Sequence, residues 1–129
     1  MTSGNEYRSK VTTPEEALKV VRSGQRVYVH NGCAQPDLLL DALVARAAEL
    51  RGVEIVHMAT FGRARYADPE YEKSFRHRGL FLAGNVRQAV QEGRGDYTPI
   101  FLHEIDELIG EPLPITGSVN QLPTKPEII

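Results

Sequence analysis

Three short loops hold the residues whose types and spacing could do chemistry. The first, His30-Asn31-Gly32-Cys33-Ala34-Gln35-Pro36, follows a run of strand formers and precedes a long apolar-periodic run. Strand, glycine loop and helix in that order offer an anion close backbone approach and free N–H groups at a helix start. The same pattern also makes an ordinary strand-to-helix turn that holds nothing. The second loop, after Met58, carries Thr60, Gly62, Arg63 and Arg65. Its hydroxyl and backbone suit a carboxylate and its guanidiniums suit phosphates, although a basic stretch is more commonly a solvated loop. The third, Gly84-Asn85-Val86-Arg87, opens a helix with Asn85 as N-cap. Arg87 in the first turn opposes the helix dipole and would gain from an external partner; the commoner case is an exposed surface side chain.

Other reactive types are less suggestive. The glycine spacing matches neither the dinucleotide fingerprint nor a phosphate-binding P-loop. Cys33 sits where a helix N-terminus would lower a thiol pKa, yet it reads more simply as a small buried side chain. His30, His57, His77 and His103 show no paired metal spacing. Two of them close strands and read as hydrogen-bonded residues at the edge of a core. Glu104, Asp106 and Glu107 read as the solvated face of a helix rather than an acid–base pair.

These loops need elements to hold them. Thr13-Pro14-Glu15-Glu16 is a helix start, with Thr13 as N-cap and Glu16 closing a capping box. The helix carries Ala17, Leu18, Val20 and Val21 on its apolar stripe and stops at Gly24. A strand over residues 25–30 places Val27 and Val29 on one face. A helix from Pro36 to Gly52 buries Leu38, Leu39, Ala42, Leu43, Ala45, Ala47 and Leu50. The next strand, residues 53–58, must lie parallel to the first because a helix intervenes. Residues 59–77 read as a long polar loop with one helical turn. "RGLFLAG" is expected as a buried strand, "NVRQAVQEG" as a short helix, "DYTPIFLH" as a fourth strand and "EIDELIG" as a final helix. Pro99 would sit poorly in a central ladder. The expectation is an α/β fold with an open, mainly parallel sheet and flanking helices. Residues 1–12 would be a flexible leader, 13–110 the domain, and 111–129 an extended or disordered tail.

Composition narrows the function. The 129 residues make one domain with a modest core, and a formal net charge of −2 gives no signature of a nucleic-acid binder. The single cysteine forbids an intrachain disulfide. No apolar stretch resembles a secretory signal or a membrane span. A cytoplasmic location and no membrane partner are the expectations.

Taken together, "SGQRVYV", "GCAQPDLLLDALVARAAELRGVEIVHMATFG" and "FRHRGLFLAGNVRQAVQEGRGDYTPIFLHEI" resemble the N-terminal domain of the acetyl-CoA hydrolase/transferase family, and within it the 4-hydroxybutyrate CoA-transferases. The resemblance runs from about Glu15 to Leu108. It implies a doubly wound α/β fold in a two-domain, usually dimeric subunit that moves coenzyme A between carboxylic acids. In that chemistry a glutamate carboxylate attacks the thioester and an anhydride forms. Returning CoA thiolate then makes an enzyme thioester, and a second acid takes the CoA, a covalent two-step route. The family places the glutamate and most CoA contacts in its C-terminal domain, which no segment of these 129 residues resembles. After Leu113-Pro114 the sequence departs from the family pattern.

By this resemblance Gly32, Gln35, Pro36, Thr60, Gly62, Asn85 and Arg87 form the N-terminal wall of the acyl-CoA cleft. Gln35 and Thr60 are the candidates for touching the acyl group or carboxylate. No residue here is assigned as the nucleophile, and no metal or resident cofactor is expected. CoA or acyl-CoA enters as substrate with a small carboxylate. The leading expectation is the N-terminal part of a CoA-transferase, inactive alone. The alternatives are an obligate subunit of a split enzyme, completed by a separate C-terminal catalytic half, and a stand-alone module binding a small carboxylate or nucleotide. Self-association, as a homo-oligomer, would cover surface that a second domain otherwise buries.

Overall fold

The computed structural model describes residues 3–110 and 127–128. Its centre is a parallel sheet of β1 (Arg26–Val29), β2 (Val53–His57), β3 (Phe75–Gly79) and β4 (Gly95–Tyr97), each paired with the next in sequence. A short fifth strand, β5 (Glu127–Ile128), adds to the free edge of β1, so the order is β4-β3-β2-β1-β5. The end of the expected tail thus joins the sheet, while residues 111–126 and 129 lie outside the described ones.

Each connection between neighbouring parallel strands is a crossover, which returns the chain to the same end of the sheet. The loops leaving β1, β2, β3 and β4 therefore gather at the carboxyl edge, where ligands of open α/β sheets bind.

The first crossover is α3 (Asp37–Ala45), shorter than its apolar run because the chain tightens into turns after Ala45. Leu40, Leu43 and Val44 are buried. Leu38, expected on the apolar face, is 70% exposed in the first turn of this helix. The helix at Thr13 is also short: α2 (Pro14–Ala17) passes into a 3-10 turn, Leu18–Val20. Thr13 caps it, its hydroxyl accepting from Glu16 N at 3.2 Å. The helix ends before Gly24, which serves instead as a turn residue bonded to Arg51 O. Within residues 1–12, Ser3–Lys10 form the polar helix α1, with a Lys10–Glu6 pair at 3.0 Å.

The second crossover is irregular, with 3-10 turns at Arg65–Ala67 and Pro69–Tyr71. It leads into β3 several residues earlier than the sequence suggests. "RGLFLAG" is not the strand: Phe81 is exposed, and Leu80 to Ala83 form the loop into α4 (Gly84–Gln91). Asn85 is not the N-cap of α4; that position belongs to Ala83. β4 is only three residues long, and Pro99 lies outside it. The last helix is α5 (Ile105–Gly110).

The two sheet faces differ in chemistry. One carries Val27, Val29, Ile55 and Phe75 and packs against Leu18, Leu40, Leu43, Tyr66 and Val86 as the main core. The other carries a smaller apolar group, Val56 and Leu80 with Tyr28, Ile105 and Leu108, beside a buried ion ladder. In the ladder Glu54 takes Arg26 Nε at 2.5 Å on one oxygen and Arg78 Nε at 2.7 Å on the other. Asp96 receives both Nε and Nη2 of Arg76, at 2.7 and 2.8 Å. Burial pushes the Asp96 carboxyl up, but Arg76 and Arg78 outweigh it and hold the group below its ordinary range. Four strands with this much charge stay in register because each charge meets its opposite on the neighbouring strand.

Candidate functional site

Gly32 takes a left-handed φ of 60°, which turns the chain out of β1 and lets its N–H reach Ala59 O at 3.0 Å. That bond ties the loop after β1 to the loop after β2. Pro36 then sets the N-cap position of α3. Between them Gln35 is half-buried and projects toward the second loop.

The Gln35 amide is the centre of the site. Its Oε1 accepts from the buried Thr60 hydroxyl and, at 3.4 Å, from Gly62 N. Its Nε2 donates to Asp37 Oδ1 at 2.6 Å. A Cβ at Gly62 would overlap Gln35 Nε2 and stand 2.7 Å from Asp37 Oδ1, so a larger residue there would push these two side-chain ends aside. Asn85 Nδ2 donates to Gly62 O at 2.8 Å and brings in the start of α4. Three loops from three strands are thus joined through side-chain amides, a hydroxyl and glycine backbone.

Of the residues singled out from sequence, Gly32, Gln35, Pro36, Thr60, Gly62 and Asn85 are therefore brought together. Arg87 is not joined to them: it lies on α4 with an exposed side chain and no hydrogen bond or ion pair among the described residues. Arg63 and Arg65 both face Asp41, at 3.5 and 3.4 Å, so their charge is partly satisfied within the protein. Cys33 is exposed rather than buried, since the 3-10 turn Gly32–Ala34 turns it outward. Asp37 was missed in the sequence; an acid directly after the proline of a helix start was its only signal.

The arrangement is short of base and rich in donors. With Oε1 engaged twice, Gln35 retains one N–H, and the Asn85 amide likewise keeps one beyond its bond to Gly62. Exposed Arg87 stands on the same helix as Asn85. A row of N–H donors at a sheet's carboxyl edge favours a carboxylate or another anion. Among the described residues no three His, Cys, Asp or Glu side chains gather to hold a metal ion.

Behind this edge lies a second polar group. His57 and His77 are fully buried, their rings nearly parallel with centroids 5.6 Å apart. Neither ring nitrogen of either residue has a hydrogen-bond partner among the described residues. His30 and His103, the histidines expected to close strands at the edge of a core, are exposed instead. Burial, then the charge of His77, pushes the His57 pKa down to about 3; burial foremost takes His77 down to about 4. Tyr66 packs beside His57 with its phenol held well above the usual range by burial.

Comparison with known proteins accords with this architecture. The acetyl-CoA hydrolase/transferase N-terminal domain model matches residues 1–113. The 4-hydroxybutyrate coenzyme A transferase of Clostridium kluyveri is 36% identical over 117 residues, which are 90% of this chain and 27% of that protein. A succinyl-CoA:acetate/propanoyl-CoA:succinate CoA transferase of Fasciola hepatica is 40% identical over 93 residues, 70% of this chain and 19% of its own length. The crystal structure of RipA from Yersinia pestis superposes with a TM-score of 0.78 at 24% identity, over 86% of this chain and 28% of that one. The chain spans only about a quarter of the length of the curated relatives it matches.

Proposed function

This chain belongs to the acetyl-CoA hydrolase/transferase family, whose N-terminal domain it carries, and from that premise we propose that it supplies one wall of a CoA-transferase active site. The observation that carries the reading is the amide–hydroxyl node of Gln35, Thr60, Gly62 and Asn85 at the carboxyl edge of the sheet. Its donors suit the carboxylate of the acid being exchanged, or the thioester oxygen as negative charge develops there. Acyl-CoA and a small carboxylate of the 4-hydroxybutyrate or acetate type are the substrates. Arg87, exposed on the same helix as Asn85, is the candidate contact for the CoA portion.

The wall needs an opposite side. The node contains no glutamate; its one carboxylate, Asp37, is hydrogen-bonded to Gln35 through Oδ1. The reacting glutamate comes from a C-terminal catalytic half, joined covalently or supplied as a separate subunit. The exposed apolar side chains around the node support such a cover: Leu38, Phe61, Phe81, Phe101 and Leu102 all stand on the loops or helix starts of this edge. Contiguous apolar surface in a soluble protein usually meets another protein surface. Without that half, these 129 residues associate with one another through the same edge.

The test mixes the purified 129-residue polypeptide with the part of the Clostridium kluyveri relative that lies beyond the matched region. Acetyl-CoA and 4-hydroxybutyrate are then supplied. The expected result is no CoA transfer by either piece and transfer by the mixture. Turnover by the 129 residues alone, or none by a mixture shown to form a complex, would overturn the reading.

A further inference from the structure

The Gln35 amide can point either way about its last torsion, and only one choice serves the node. With Oε1 toward the second loop it accepts from both Thr60 Oγ1 and Gly62 N; with Nε2 there, two N–H groups would face the Gly62 N–H. The Gly62 contact is long, 3.4 Å, and a hydroxyl can donate or accept, so neither partner in that loop fixes the choice firmly. The 2.6 Å contact to Asp37 Oδ1 does, because an ionised carboxylate only accepts. We propose that Asp37 is a positioning residue that holds the Gln35 amide in its working orientation and so decides which atoms the node offers to substrate. The inference rests on the reading of the node as a substrate wall for its functional meaning, while the orientation itself is a property of this chain alone.

Asp37 is also in the first turn of α3, where its charge stabilises the helix. A purely structural role would end there. The two roles part when the acceptor is kept and the charge removed. Asp37→Asn still presents a carbonyl oxygen to Gln35 Nε2, whereas Asp37→Ala presents nothing. The helix-dipole role treats these two variants alike.

The experiment is NMR on the isotopically labelled 129-residue polypeptide, following the Gln35 side-chain amide and its cross-peaks to the Thr60 methyl. In the unaltered protein the Gln35 amide protons show cross-peaks to the Thr60 methyl at neutral pH. Asp37→Asn, which keeps a carbonyl acceptor, keeps those cross-peaks. Asp37→Ala loses them, while its backbone spectrum stays folded. Cross-peaks that persist unchanged in Asp37→Ala, or that vanish in Asp37→Asn as fully as in Asp37→Ala, would overturn the inference. Acetyl-CoA is then added to the unaltered protein. If it moves no resonance at the node while the difference between Asp37→Asn and Asp37→Ala persists, the functional reading fails and the positioning role stands.

Discussion

The buried His57–His77 pair makes the fold sensitive to acid in a calculable way. In the folded state both imidazoles are neutral, with pKa values near 3 and 4 against an ordinary 6.5. The unfolded chain therefore binds more protons than the folded one once the pH drops below about 6.5. The stability they permit is fully present above that pH and is lost as pH falls toward 4 and then 3. Each unit of pKa difference is worth about 1.4 kcal/mol, so each histidine forfeits about 2 kcal/mol between pH 7 and pH 5, and the pair about 4 kcal/mol. That is a large part of the stability of an ordinary domain. The groups around the pair do not cancel the effect. Tyr66 stays neutral, Arg76 and Arg94 disfavour a second positive charge, and only Asp96 favours protonation of His77. The assay is urea unfolding at pH 7 and pH 5 of the unaltered protein and of a His57→Leu/His77→Leu variant. The difference in unfolding free energy between the two pH values should be about 4 kcal/mol in the first and under about 1 kcal/mol in the second. Equal pH dependence in both proteins would refute the reasoning.

Two further outcomes follow from contacts described above. Gly62→Ala drives a methyl into the ends of the Gln35 and Asp37 side chains; both can swing away, so it should displace Gln35 from Thr60 at a cost of under about 1 kcal/mol in denaturant unfolding, whereas Gly84→Ala, with open space around it, should leave Gln35 in place. Glu54→Gln leaves Arg26 buried without a counter-charge and Arg78 with only Asp96 at 3.5 Å, and should destabilise by about 3–5 kcal/mol, measured in the same way.

The sequence announced its elements where local chemistry and burial agree. Val27 and Val29 alternate with less apolar neighbours and stand on the core face of β1. Thr13 caps as its spacing suggests, and the helix between the first two strands requires the parallel pairing that is found. Legibility failed at β3, whose residues Phe75-Arg76-His77-Arg78-Gly79 look like a polar loop. Their place in the centre of the sheet depends on Glu54 and Asp96, which neighbour them in space but lie some twenty residues away in sequence. The apolar "RGLFLAG" misleads for the complementary reason: Phe81 is apolar yet stands exposed on the site edge. Leu38 misleads likewise. Hydrophobic periodicity takes every apolar residue for core, and it fails where apolar side chains face outward.

The candidate site was legible as a set of loops rather than as a geometry. Gly32, Gln35, Thr60, Gly62 and Asn85 stand on three segments that only the parallel topology brings to one edge. Asp37 escaped notice because its role exists only through Gln35, and Asn85 serves Gly62 O rather than its own helix.

The role proposed for this edge is to handle the exchanging carboxylate once the second half of the site is present. Its most direct test is the rate of CoA transfer from acetyl-CoA to 4-hydroxybutyrate by the reconstituted mixture, with unaltered Gln35 and with Gln35→Ala. The mixture should form in both cases and the variant should be slower by about 100-fold, the loss typical of one donor lost from a charge-stabilising site. Equal rates in the two complexes would contradict it.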